Sequence, residues 1–481
     1  MTVRDRLTAM DATMLYLENR TVSFDIAGVF RVDGSIDFDE YVIDLAHRLE
    51  YLPRFRQRIL PVPFNLGHPT WEDDPDFRLE DHVRNVRVPA PGGLAEFDAF
   101  LDETMQDRLD MSKPPWMLYV VNGLENDEAA VVVKVHHCLT DGTGGHKIYA
   151  ALVDFQEPNL RTGEAPQWNK DAPELPSGMQ RMRFAMADAR AKAPENAAPT
   201  TAPDDELKRR EALLKQFKDA PGVRFGFNGM LSGKIQHRST TFPLEDLRAI
   251  RKAYGGTIND VFISMLGEVT ERIAREEGLD PSGKYLRLHL AANRRNQNSE
   301  DDWGNRVALL PALVPLGIED PAQRIREVVG YMRDVKAANV IEAMVEYINK
   351  TQRLPAPMLR LVLRMMYSDV LNRTVVRLGR PPMMNMYVTN VRWPEVSSYM
   401  GGRKVTQVRP LLPLMPRVGL LCSAITYADD LTLSFAGDPT LTPPLEKLIE
   451  YLHEAFDRLR ATVDETPSEV ASESPSMTPA K

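Results

Sequence analysis

Residues 129–145, AAVVVKVHHCLTDGTGG, constrain the fold more than any other stretch of the chain. The run Ala129–Val135 is β-branched and carries a single charge, Lys134. That composition predicts a strand buried on both faces rather than on one. Gly142, Gly144 and Gly145 follow, and HKIYAALVDF then reads as a helix, so the order is strand, tight loop, helix. Small residues let a substrate or another backbone come close, and they leave amides free at a helix start, where negative charge is welcome.

Two adjacent histidines, His136 and His137, stand at the end of this strand, with Asp141 four residues after the second. Imidazole is the side chain best suited to proton transfer near neutral pH, and a strand end holds it rigidly. An aspartate at that spacing could orient the ring or fix the loop through an ion pair. Three readings stand side by side: satisfied polar residues, a metal site using His136, His137, Asp141 and His146, or a general base with a supporting neighbour. Adjacent strand residues point to opposite faces, which disfavours a metal shared by the two rings. The same alternation sends one ring to a site and the other to the interior.

The wider sequence narrows the class of protein. At 481 residues the chain is long enough for two or more cores, and its net charge of −9 does not advertise nucleic acid. Only Cys138 and Cys422 are present, far apart, so a reducing cytoplasm is expected rather than a disulfide framework. The opening MTVRDRLTAMDATMLY lacks the apolar core of a secretory signal, and no run of about 18 apolar residues predicts a transmembrane helix.

Along the chain, VSFDIAGVFRVDG reads as a strand closed by an Asp33–Gly34 turn, and Asp37 with Glu40 resembles a capping box for the helix after it. Residues 1–160 are expected to form an N-terminal domain. Residues 161–222, rich in Pro, Ala and acid, are expected to form a partly helical linker. Residues 223–463 would then form a C-terminal domain, and 464–481 a disordered tail. The clearest helix begins at GTINDVFISML, with Ile258, Phe262, Met265, Leu266, Val269 and Ile273 on one stripe and Thr257 with Asp260 as its capping box. LRLHLAAN and NMYVTNV read as strands, and VGLLCSAITYADDLTLSFAGD as a hairpin turning at Ala428–Asp430. Residues 353–380 carry six arginines and one acid among Leu, Val and Met. A basic helix with an apolar face of this kind either lies on an anionic lipid surface or packs in the core with a solvated arginine face.

HHCLTDG matches the HHxxxDG signature shared by chloramphenicol acetyltransferase-like acyltransferases and peptide-synthetase condensation domains. Further blocks make the resemblance more specific. LTAMDATMLYLENRTVSFDIAGVF, PRFRQRIL, HPTWEDDPDFRLEDHVR and LDMSKPPWMLYVVNGL, then TINDVFISML, WGNRVALLPALVPLGIEDPAQRI and VTNVRWP, resemble the wax ester synthase/diacylglycerol acyltransferase family in the family's order. The resemblance spans residues 8–160 and 223–460.

It implies an α/β (α+β) fold of two chloramphenicol acetyltransferase-like domains, each a mixed sheet flanked by helices, with the active site between them. It implies His137 as general base, His136 in support, and Asp141 fixing the loop through Arg294 or Arg295. Gly142 would keep the loop tight. Asn259, followed by Asp260, would meet the substrate from the second domain, Asn259 as a candidate oxyanion donor. The implied reaction moves a long-chain acyl group from acyl-CoA, a co-substrate, to diacylglycerol or a fatty alcohol, with no metal and no other cofactor. The implied location is cytoplasmic, with peripheral contact to the inner membrane face or lipid inclusions. The shared signature also admits a condensation-type acyltransferase on another acceptor, or an inactive lipid-binding paralogue. Two positions depart from the family: Pro115 in KPPW stands where a leucine is usual, and Arg392–Trp393 replace a glycine–proline turn.

Overall fold

The computed structural model describes residues 5–139, 148–166, 168, 174–191, 203–293, 307–352, 354–378, 382–394 and 396–464. Its strands are β1 (Asp25–Val32), β2 (Gln57–Leu60), β3 (Thr70–Asp73), β4 (Val83–Arg87), β5 (Trp116–Asn122), β6 (Ala129–His136), β7 (Asp154–Phe155), β8 (Gln236–Pro243), β9 (Tyr285–Asn293), β10 (Val307–Pro315), β11 (Met386–Arg392), β12 (Ser398–Met400), β13 (Arg403–Leu411), β14 (Leu420–Tyr427) and β15 (Asp430–Gly437). The helices are α1 (Ala9–Leu17), α2 (Phe38–Arg48), α3 (Leu94–Gln106), α4 (Gly178–Ala191), α5 (Asp204–Asp219), α6 (Leu244–Tyr254), α7 (Ile258–Glu276), α8 (Pro321–Ala337), α9 (Val340–Gln352), α10 (Ala356–Met366), α11 (Asp369–Arg377) and α12 (Leu445–Asp464).

The strand that opened the sequence argument is β6, and all eight of its residues are buried. It runs antiparallel to β5 on one side and to β1 on the other. The β-branched run suits this place because both of its faces are covered. Val131, Val133 and Val135 pack with Tyr41 and Leu45 of α2. Ala130 and Val132 pack with Phe97, Leu101 and Met105 of α3. Burial of each such valine is worth roughly 1.5–3 kcal/mol. The single charge of the run, Lys134, ends at the C-terminus of α3. There its Nζ donates to the carbonyls of Thr104, at 2.9 Å, and Asp107, and lies 3.3 Å from Asp25 Oδ2. A cation is favoured at that end of a helix, where carbonyls lack partners.

The seven-stranded sheet has the order β4-β5-β6-β1-β13-β12-β7, and the six-stranded sheet the order β10-β9-β11-β14-β15-β8. Two strands of the first sheet, β12 and β13, come from the C-terminal half of the sequence. Residues 398–411 therefore complete the N-terminal sheet, a crossover that a division at residues 160 and 223 does not convey. The second sheet buries one face against α7, α8 and α12. Toward the first sheet it presents Leu421, Ala436 and Tyr387, which meet Met14 and Leu17 of α1 and Phe24. Polar bonds stitch the same seam: His237 N–H and Arg238 Nη1 of β8 donate to the Asp102 carboxylate of α3 at 2.7 and 2.8 Å.

The expected caps and turns are present. Thr257 Oγ1 accepts from Asp260 N–H while Asp260 Oδ2 accepts from Thr257 N–H at 2.7 Å, the reciprocal pairing that starts α7. The turn between β14 and β15 falls at Ala428, whose φ is 50°. The basic segment, read as one helix in the sequence, is two: α10 ends at Met366, and Ser368 caps α11 by accepting from Leu371 N–H. Ser, as a residue that bonds its own backbone, favours such a restart over helix continuation.

The chain leaving the histidine motif is held by a buried ion cluster. Arg48 Nε lies 2.5 Å from Asp44 Oδ2 and its Nη2 lies 2.7 Å from Asp154 Oδ2, with both partners buried. Arg48 Nη1 also donates to Ala151 O at 3.2 Å. Replacing Arg48 with Met leaves two carboxylates without their central cation and should cost about 3–5 kcal/mol. Denaturant unfolding of the full chain measures this; an unchanged midpoint would contradict it.

Candidate active site

Every backbone donor at the end of β6 has a fixed acceptor. His136 N–H donates to Pro115 O at 3.0 Å, His137 N–H to Phe24 O at 2.8 Å, and Leu139 N–H to His136 O at 2.9 Å. The strand ends at His136, and His137 begins the turn beyond it. The two rings therefore have different surroundings: His136 is fully buried and His137 is half-buried. The difference in burial fits the expectation that one ring faces the interior. Phe24, whose carbonyl takes the His137 amide, shares a buried apolar cluster with Leu421 of the second sheet, so the His137 backbone is tied to the seam of the two halves.

His136 is locked in place. The Cys138 amide donates to its Nδ1 at 3.1 Å, and its Nε2 lies 3.3 Å from Glu18 Oε1. In the neutral ring, with Nδ1 accepting, the proton is on Nε2 and faces Glu18. Burial alone would lower the His136 pKa, but Cys138 and Glu18 reverse this to a net rise. Burial pushes the Cys138 thiol up, so it is uncharged at neutral pH, and Glu18 is the charge that favours the proton. Burial would also raise Glu18, yet its bond to His136, the Phe24 amide at 3.0 Å and Arg108 together lower it. Glu18 was not singled out in the sequence. It lies in the block LENRTVSFD, and only the fold brings it to a histidine 118 positions away.

Glu18, Asp25 and His136 place one ligand-type atom each within 4.8 Å of one another. The charge at this cluster is already balanced by a cation of the chain, since Asp25 Oδ2 takes the Lys134 ammonium and the Leu109 amide, both at 3.3 Å. A small cavity of about 40 Å³ opens next to it at the seam. Ser23, Asp25 and Arg108 line it from one half and Lys234, Pro413 and Leu414 from the other.

In the second half, Asn259 and Asp260 open α7, and they do different things. Asp260 is buried, and its Oδ2 accepts from both Thr257 N–H and Thr257 Oγ1. These bonds are the helix cap expected from the Thr257–Asp260 spacing. Asn259 Oδ1 accepts from Asn390 Nδ2 of β11 at 2.5 Å. That bond turns the Asn259 Nδ2, the donor an oxyanion needs, away from Asn390. Asn390 was missed in the sequence, although it stands in VTNV; nothing local marks it. Its Oδ1 is buried and has no hydrogen-bond partner among the described residues.

Asp141 and Gly142 lie outside the described residues, as do Arg294 and Arg295. The two departures from the family are both accommodated. Pro115 meets the site through its carbonyl, which any residue could supply. Trp116 beside it is a core aromatic, with its indole N–H donating to Phe55 O at 2.7 Å. Trp393 is 4% exposed, donates to Ser398 Oγ at 3.0 Å, and packs on Phe30 and Tyr149, each with ring centroids 5.4 Å away. Tyr149 belongs to the helical residues 148–152 that follow the motif. It approaches β1 so closely that a Cβ at Gly28 would lie 2.6 Å from its hydroxyl.

A lowered Glu18 pKa makes its stabilisation pH-dependent with a definite sign. The contribution is fully present above the ordinary value of 4.5 and is lost as pH falls through the depressed folded value. Unfolding midpoints of the wild type and Glu18→Gln should therefore differ at pH 7 and converge in acid. A gap that is constant across this range would contradict the assignment.

Known proteins share both the sequence pattern and the fold. The profile of the wax ester synthase/diacylglycerol acyltransferase catalytic domain matches residues 7–262, and that of the family's C-terminal domain matches residues 303–460. A probable diacylglycerol O-acyltransferase of Mycobacterium tuberculosis strain H37Rv is 26% identical over 468 residues, covering 95% of this chain and 96% of that protein. The solved wax ester synthase/diacylglycerol acyltransferase of Marinobacter aquaeolei VT8 has a TM-score of 0.64 at 21% identity, covering 95% of this chain and 100% of that one. The first condensation domain of the CDA synthetase has a TM-score of 0.58 at 16% identity, covering 97% and 99%. The likeness to these two structures speaks to the fold: two mixed sheets with helices, shared by both groups. The chain belongs to the wax ester synthase/diacylglycerol acyltransferase family and is an acyltransferase.

Proposed function

We propose that the chain transfers a long-chain acyl group from acyl-CoA to the hydroxyl of diacylglycerol or of a long-chain alcohol, with His137 as general base. The observation that carries this reading is the rigid strand end, with a sealed His136 and a half-buried His137 beside the seam of the two halves. A hydroxyl is a poor nucleophile until its proton is removed in the transition state, and a positioned base contributes about 10²–10⁴-fold. In this scheme the His137 imidazole takes the hydroxyl proton as the oxygen attacks the thioester carbonyl carbon. The tetrahedral oxyanion collapses with cleavage of the carbon–sulfur bond, and the imidazolium returns its proton to the coenzyme A thiolate. A thiol is a good leaving group, with a pKa of about 8.5, so no covalent enzyme intermediate is required. The Asn259 amide, held by Asn390, is the candidate donor to the oxyanion. Arg108 and Lys234, at the seam cavity, complement the phosphates of coenzyme A.

Thiol release from palmitoyl-CoA, with a panel of alcohols and amines as acceptors, tests the reading. His137→Ala should lower kcat by about 10²–10⁴-fold without moving the unfolding midpoint. Undiminished ester formation by His137→Ala would remove the base assignment. A preference for amines would favour the condensation-type reaction, and no release with any acceptor would favour a lipid-binding paralogue.

The apolar substrates go with a lipid surface, and α10 and α11 have the face for one. Leu361, Met365, Met366, Val370 and Leu371 are exposed, with Arg364, Arg373 and Arg377 exposed among them. No helix among the described residues is long and apolar enough to cross a membrane. A basic face with apolar side chains fits the anionic surface of a bilayer or droplet instead. Each arginine near such a surface is worth about 1 kcal/mol, so replacing Arg364, Arg373 and Arg377 with Gln should weaken binding to anionic vesicles roughly 100-fold. Co-sedimentation measures this; unchanged binding would contradict it.

A further inference from the structure

We propose a second lipid site, distinct from the histidine motif, that binds one free fatty acid with its carboxylate on Arg360. A cavity of about 210 Å³ lies between α1, β2 and α10. Leu15, Ile59, Val62, Pro69 and Met111 make its walls apolar, and no acidic residue lines it. Its charged group is the guanidinium of Arg360, which reaches over from α10. Arg360 donates to the neutral amide oxygen of Asn65 and lies over the Tyr16 ring, 5.4 Å from its centroid. Among the described residues no carboxylate pairs with it. A half-buried guanidinium without a counter-charge, facing an apolar hollow, is complementary to an amphiphile with an anionic head.

The backbone at the mouth is an independent observation. Phe64 and Asn65 are consecutive left-handed residues, with φ of 56° and 55°, and neither is glycine. Such conformations cost about 1–3 kcal/mol each and persist where surrounding structure enforces them, commonly at ligand clamps. Here the Arg360–Asn65 bond holds the turn, and the turn leaves the Phe64 ring 82% exposed.

Size and geometry choose among anionic lipids. The cavity is smaller than the ~300–1,000 Å³ of sites for drug-sized ligands, so it takes part of one hydrocarbon chain rather than a two-chain lipid. The planar fork of a guanidinium matches a carboxylate with two parallel bonds. None of the lining residues belongs to the strand end that carries His136 and His137, and the inference does not depend on the proposed reaction.

Calorimetric titration of the full chain with decanoate and with decanol tests it. The wild type should bind decanoate at least tenfold more tightly than decanol. Arg360→Gln should weaken decanoate at least tenfold and leave decanol within twofold, and Arg360→Lys should restore part of the decanoate preference. Val62→Trp, which fills the cavity and keeps the arginine, should weaken both ligands. An arginine that only braces the turn would lower both ligands equally in Arg360→Gln, and that result overturns the proposal. Unchanged decanoate binding in either Arg360→Gln or Val62→Trp also overturns it. Should Arg360→Gln fail to unfold cooperatively, Val62→Trp alone decides.

Discussion

The amide of His137 donates to the Phe24 carbonyl at 2.8 Å, one residue past the end of β6, and the geometry of the site descends from that bond. It ties the histidine pair to β1 at the point where β1 enters the sheet. Phe24 in turn belongs to the buried apolar cluster that contains Leu421 of the second sheet, so the same peptide ties the His137 backbone to the seam. The neighbouring ring adds rigidity from the side. His136, held between the Cys138 amide and Glu18, pins the strand end on that side too. A backbone held to this degree suits the role of base proposed for His137, which calls for little reorganisation.

Charge placement follows the same economy. The buried acids near the motif are each matched by a buried cation or by amides: Asp25 by Lys134 and Leu109 N–H, Asp44 and Asp154 by Arg48. An unmatched carboxylate this deep would be costly and would compete for the protons the site must move. Arg360 is the contrast, a half-buried cation whose described partners are a neutral amide and an aromatic ring. Trp393 shows how the chain absorbs a departure from its family. It fills the space between Phe30 and Tyr149, so the bulk lands against the helix after the motif and tightens the packing behind the site.

Much of the fold was legible because it is written in local patterns. The buried strand β6, the box of Thr257 and Asp260, and the turn at Ala428 each follow from spacing or from residue type within a few positions. The histidine pair was legible as a motif at a strand end, but its two rings are separated by the end of β6 at His136 and not by strand alternation. What escaped depends on pairing across long distances. Glu18 meets His136, Asn390 meets Asn259, and β13 joins β1 only after the chain has folded, and none of these leaves a periodic trace. Asp260 carries two local readings, a family motif and a helix cap, and its hydrogen bonds show the cap. The break between α10 and α11 turns on Ser368, whose capping role was masked by a continuous basic and apolar pattern.

A structure of the full chain with coenzyme A and a long-chain alcohol tests the central claim most directly. The alcohol oxygen should lie about 2.6–3.2 Å from a ring nitrogen of His137, or one water away, with the thiol sulfur close to the same oxygen. An alcohol bound elsewhere, or held by another side chain with His137 out of reach, would contradict the account.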